Sequence, residues 1–112
     1  MNDTAVFLTW QDEIASNPVL FKQLSEIFVT ENTDTAKRLK TLMQAGDFKT
    51  ITPIAHTLKS SAALIVQSDL NQAAAAAEFG TKDNNNTIEQ KELLVENLIA
   101  ELEKSLQSIG EL

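Results

Sequence analysis

The sequence contains no cysteine, so disulfides and thiolate chemistry are excluded and the chain suits a reducing compartment. It contains a single histidine, and a zinc site, which draws on several His or Cys ligands, is therefore not expected. Glycine occurs three times, proline twice, and aromatics make up 5% of the 112 residues. Alanine and leucine are abundant instead, and an all-helical chain is the first expectation. No apolar run approaches the roughly 20 residues that would span a bilayer. Met1-Asn2-Asp3-Thr4 lacks the basic and apolar regions of a signal peptide, so the expected location is the cytoplasm. Positive charge is the minority sign, nine basic residues against sixteen acidic, with a net charge of −7. That balance argues against general nucleic-acid binding and against an anionic membrane surface, both of which want a basic footprint.

The length fits one domain over residues 1–112, and no repeat or low-complexity linker divides it. Val6, Phe7, Leu8, Trp10 and Ile14 form the apolar side of a short helix over about 4–15. Asn17-Pro18 has the form of a helix start, because Asn caps and the missing proline N–H would be unpaired in the first turn anyway. Apolar residues then recur at helical spacing from Leu20 through Phe28 to Met43. This predicts one long helix over 18–45 with a possible break at Asn32-Thr33-Asp34, ended by Gly46. Asp47 can cap the next helix, about 48–66, although Pro53 conflicts with it. Thr52 as the cap with Pro53 as first helical residue is the alternative. Ser68-Asp69 opens a helix over about 69–79 with Gly80 as its stop. Thr87-x-x-Gln90 has capping-box form and opens a last helix over about 87–108. Alternation of apolar and polar residues nowhere persists, so the expected fold is an antiparallel four-helix bundle with a short extra N-terminal helix.

On a wheel of about 100° per residue, Ile51, Ile54, Leu58, Ala62 and Ile65 point one way, and His56 lies roughly 160° from the centre of that stripe. Lys49, Ser60, Ala63 and Gln67 share its side, and Lys59 sits one flank over. Neutral imidazole is a good nucleophile near neutral pH and can hold a phosphoryl group as a labile phosphoramidate. A lysine one turn away would offset the phosphate charge. The plain reading is equally concrete: a lone exposed histidine on a helix ordinarily does nothing, and isolated matches of this kind are often false.

The local sequence goes further. Ala55-His56-Thr57-Leu58-Lys59-Ser60-Ser61-Ala62 resembles the Ala-His-x-Leu-Lys-Gly-x-Ser/Ala signature of histidine-containing phosphotransfer (HPt) domains. Asp47 stands nine residues before His56 and Leu70 fourteen after it, as in that family. Glu78-Phe79-Gly80 is similar to its Leu-Glu-x-Gly helix ending. The resemblance covers roughly residues 18–80 by pattern and the last helix by period alone. It implies a four-helix bundle, no catalytic activity of its own, and no cofactor. It also implies partners that are receiver domains of response regulators or a hybrid histidine kinase, between whose aspartates the phosphoryl group is relayed. His56 would be the phosphoryl carrier, Lys59 its electrostatic neighbour, and Ser60 would occupy the usual glycine position. Neither nucleic acid nor a membrane is an expected partner, and the chain is expected to be monomeric. The starting Met and completed last helix lead to the expectation of a stand-alone protein.

Three positions depart from the family pattern: Ser60, Val66 where glycine is common, and Pro53 three residues before His56. They motivate a competing reading, a helical adaptor or inhibitor that binds a receiver or kinase without carrying phosphate. An enzyme with its own active site finds no nucleophile–base pair, glycine-rich phosphate loop or metal constellation to support it. The alanines from Ala73 to Ala77 read as close helix packing with favourable propensity. Lys37, Arg38 and Lys40 read as a solvated face before they read as a steering patch. In the family, apolar residues near the histidine dock the receiver, a role open to Phe7, Leu8 or Trp10. Phe21 and Phe28 are core candidates. If Leu58 is buried as the stripe requires, Leu58→Ala will lower the unfolding free energy by about 2–5 kcal/mol in a denaturant titration.

Overall fold

The side chain of Asn17 accepts a hydrogen bond from the Leu20 N–H at 3.1 Å, and Pro18 follows as the first helical residue of α1 (Pro18–Asn32). The computed structural model describes residues 16–110, so the expected helix over 4–15 lies outside the described residues. The long helix expected over 18–45 is divided in two, α1 and α2 (Thr35–Gln44). The break falls at Thr33-Asp34, in the run of weak helix formers, and Thr30, Asn32 and Thr33 each donate a side-chain hydrogen bond to the carbonyl four residues back, at 2.8–3.0 Å.

α3 (Phe48–Leu64) begins at Asp47, not at Thr52. The Asp47 carboxylate accepts from the Thr50 N–H at 3.2 Å and from its hydroxyl at 2.6 Å. These two bonds, the hydroxyl's first, hold its pKa below the ordinary aspartate range. Pro53 is carried inside the helix, which runs on past it. α4 (Ser68–Lys82) extends beyond the expected end at 79, and Gly80 is not a stop. A Cβ built on Gly80 would collide with Leu94 Cδ1 of α5 (Ile88–Gly110), so the missing side chain lets two helices close up. The capping box ahead of α5 is reciprocal: Thr87 N–H donates to Gln90 Oε1 at 2.8 Å and Gln90 N–H to Thr87 Oγ1 at 3.1 Å.

The interrupted α1–α2 leg, α3, α4 and α5 form an antiparallel four-helix bundle, and the described residues contain no strand. The core draws Phe28 and Leu39 from the first leg, Ile51, Ala55, Leu58, Ala62 and Ile65 from α3, Leu70 and Ala77 from α4, and Val95, Leu98 and Leu102 from α5. Phe21 packs on it half-buried. On α3 the buried series alternates four and three residues, with Ala55 in place of the half-buried Ile54. Ala63, expected on the open side, is buried. The contact of α3 with α4 is the most extensive in the bundle, and Ala55, Ala62, Ala73, Ala74 and Ala77 are all buried in the core.

The same turn is used twice with different residues. After α2, Gly46 N–H donates to Met43 O at 3.0 Å and Asp47 N–H to Leu42 O at 2.9 Å, with Gly46 at φ 71°. After α3, Val66 N–H donates to Ala63 O at 3.2 Å and Gln67 N–H to Ala62 O at 2.8 Å, with Val66 at φ 58°. Both are Schellman endings, whose left-handed position suits glycine and penalises a β-branched residue. Val66 is also half exposed, so little burial is at stake. Val66→Gly is expected to raise the unfolding free energy by about 1 kcal/mol, read as a higher Tm, while Gly46→Ala lowers it.

Candidate functional site

Glu78 is on the face of α4 turned toward α3, and only 11% of its side chain is exposed. A carboxylate this enclosed needs partners for its charge, and α3 supplies two. Oε2 lies 2.7 Å from His56 Nδ1, and Oε1 accepts from Lys59 Nζ at 2.6 Å. His56 and Lys59 stand one turn apart on α3, which is the spacing that lets a single carboxylate reach both. Other bonds fix the register of the two helices on either side. Asn71 Nδ2 donates to the Lys59 carbonyl at 2.8 Å, and the hydroxyls of Thr52 and Thr81 meet at 2.7 Å.

The protonation states follow from the bonds. The Lys59 hydrogen bond is the main influence holding the Glu78 pKa below the ordinary glutamate range, with the His56 bond adding to it and burial opposing. An ionised carboxylate can only accept, so His56 Nδ1 carries the proton and donates it. In the neutral ring the lone pair then belongs to Nε2. The imidazole side chain is 61% exposed. The arrangement is a tautomer-fixed imidazole, backed by a buried carboxylate, with its basic nitrogen available to something arriving from solvent.

The residues expected from the sequence fall as follows. His56 is exposed on α3, away from the core series. Lys59 is beside it but bound to Glu78, with 28% of its side chain exposed, so its resting partner is a carboxylate. Ser60 is exposed one turn on, its hydroxyl folded back to 3.5 Å from the His56 carbonyl. Pro53 leaves the helix unbroken at His56, and Val66 lies beyond Leu64 in the turn. Glu78 is the residue that sequence reasoning treated only as part of a helix-end pattern. The signal was present, since Glu78 continues the row Asn71–Ala74 on the inward side of an alanine-rich helix, where an acid demands a cation opposite. Phe79, next to it, is exposed, with Lys59 Nζ 5.7 Å and Lys82 Nζ 4.9 Å from its ring centre.

Among the described residues, no group of three His, Cys, Asp or Glu side chains could hold a metal ion, and no helix is long and apolar enough to cross a membrane. In comparisons with known proteins, the family model of the Hpt domain matches residues 23–111, which include all five described helices in whole or part. No curated protein and no solved structure matches the chain.

Two outcomes follow from the Glu78 bridge. In long-range ¹H–¹⁵N spectra of the neutral ring, wild-type His56 will show the Nδ1–H tautomer, and Glu78→Ala will shift it toward the Nε2–H form that free imidazole side chains favour. Because the Glu78 pKa is lower folded than unfolded, its stabilising contribution is complete above the ordinary glutamate range and is lost as pH falls through the folded value. The stability gap between wild type and Glu78→Gln, measured by urea unfolding, will therefore narrow on acidification.

Proposed function

The chain belongs to the Hpt domain family, whose members are phosphocarrier modules of phosphorelays and not enzymes in the ordinary sense, and on that footing we propose that it relays a phosphoryl group on His56 between the aspartates of receiver domains. The observation that carries this reading is the 2.7 Å contact of His56 Nδ1 with the Glu78 carboxylate, which in the neutral ring places the lone pair on Nε2. In the forward step Nε2 attacks the phosphorus of a receiver's aspartyl phosphate. The N–P bond forms as the P–O bond to the aspartate carboxyl breaks, and the carboxylate leaves. No proton has to move, because Nδ1–H stays bonded to Glu78 throughout. The ring gains positive charge as the bond forms, and a carboxylate at 2.7 Å stabilises that charge. The reverse step, to a second receiver, uses the same contacts.

Lys59 has two tasks in this account. It keeps Glu78 ionised in its enclosed position, and its ammonium offsets the phosphate charge beside the ring once the phosphoryl group arrives. Ser60, at the family's glycine position, is small and held back along the helix, so it leaves the approach to Nε2 open. The partner supplies the rest of the catalytic machinery, which is why an exposed residue on a rigid helix suffices here.

Wild type mixed with a phosphorylated receiver will gain one acid-labile, alkali-stable phosphoryl group by intact mass, and His56→Gln will gain none. Glu78→Ala will still accept it, but up to about 100-fold more slowly, the scale on which a misoriented reacting group acts. Equal labelling of His56→Gln and wild type would refute the assignment. Receiver binding with no transfer by wild type would favour the adaptor reading instead.

A further inference from the structure

Basic side chains are the scarce sign in this chain, nine in a protein of net charge −7. Three of them, Lys49, Lys82 and Lys91, line one open groove of about 650 Å³ where the start of α3, the end of α4 and the start of α5 meet. Among the described residues none of the three is within ion-pairing distance of a carboxylate, as is also true of Lys22, Lys37 and Arg38, whereas Lys40, Lys59 and Lys104 all are. The one carboxylate lining the groove is Asp47, which accepts from Thr50 through both oxygens and also feels the charge of Lys49. The remaining wall includes Phe48, under the Lys91 ammonium, and Ile88, which is 65% exposed. A locally positive, partly apolar groove therefore interrupts an acidic surface.

Its position matters more than its composition. Lys49 and Pro53 lie on the His56 side of α3, two turns and one turn before it, so that Lys49 is only about 10 Å away along the helix. Lys82 is one turn beyond Glu78 on α4, and its ammonium sits over Phe79, whose ring also faces Lys59. The groove thus shares α3 and α4 with the histidine site. A specific protein interface covers about 800 Å² of each partner, a patch wide enough that one centred on His56 reaches the groove. Any protein presenting an aspartyl phosphate is itself negative around that group, and the net charge of this chain would repel it.

We propose that the Lys49–Lys82–Lys91 groove is the electrostatic half of the docking surface and receives acidic side chains of the receiver domain beside its phosphorylated aspartate. This rests on the phosphocarrier reading and specifies how the partner is recognised. The three lysines invert the sign of the surface locally, which draws the receiver in and sets its orientation on His56, while taking no part in the transfer.

The test is the double charge reversal Lys49→Glu/Lys91→Glu, with Lys22→Glu/Lys104→Glu as a control that changes net charge equally elsewhere, and with melting curves to establish that both fold. Transfer from a phosphorylated receiver is followed against receiver concentration at low and high salt. The groove variant is expected to need about tenfold more receiver for half-maximal rate, with an unchanged saturating rate and a flattened salt dependence, while the control behaves as wild type. Unchanged half-saturation, or equal loss in the control, would overturn the proposal. Calorimetric binding of the unphosphorylated receiver is measured alongside. If wild type accepts no phosphoryl group, the phosphocarrier reading fails, and the binding difference alone still decides for or against the groove.

Discussion

The two-armed bond of Glu78 to His56 and Lys59 is the constraint that the rest of the molecule serves. A carboxylate placed between packed helices is tolerable only when both oxygens are satisfied, and removing either partner would leave an uncompensated charge. The bond therefore demands that α3 and α4 keep a fixed antiparallel register. The Asn71–Lys59 and Thr52–Thr81 hydrogen bonds hold that register, and the small residues buried on both helices permit the close approach. Packing decides where the carboxylate sits, and an ionised carboxylate there favours the neutral-ring tautomer with the proton on Nδ1.

Much of this could be read from the chain before any coordinates. The period of α3 separated His56 from the core series because a helix converts spacing directly into direction. Asn17-Pro18 and the Thr87–Gln90 pair were legible because caps are local, satisfied within four residues. What escaped was tertiary. The His56–Glu78 contact spans 22 residues, and no single-helix wheel contains it. Gly80 looked like a terminator, as glycine often is, yet its lack of a Cβ answers Leu94 on another helix. Ala63 was placed in the open because the wheel records one core-facing side, whereas α3 is covered by neighbours over a wider arc. The division of the first leg was visible as weak helix formers at Asn32-Thr33-Asp34.

The departures from the family pattern divide by location. Val66 acts on the turn, where a left-handed residue closes a Schellman motif, and its cost is to stability. Pro53 is absorbed within α3 upstream of the site. Ser60 is exposed one turn beyond His56, and it adds an oxygen folded toward its own helix. The contacts of Glu78 with His56 and Lys59 stand alongside all three. Three of the nine basic side chains, Lys49, Lys82 and Lys91, line one groove that begins on the same helix as His56.

The central claim is that Glu78 commits His56 to reaction through Nε2. The most direct measurement is the regiochemistry of the phosphorylated protein, read from ¹⁵N–³¹P correlations on chain labelled at histidine. The account predicts a phosphoryl group on Nε2 with Nδ1 still protonated and hydrogen-bonded. Phosphorus on Nδ1, or on any residue other than His56, would contradict it.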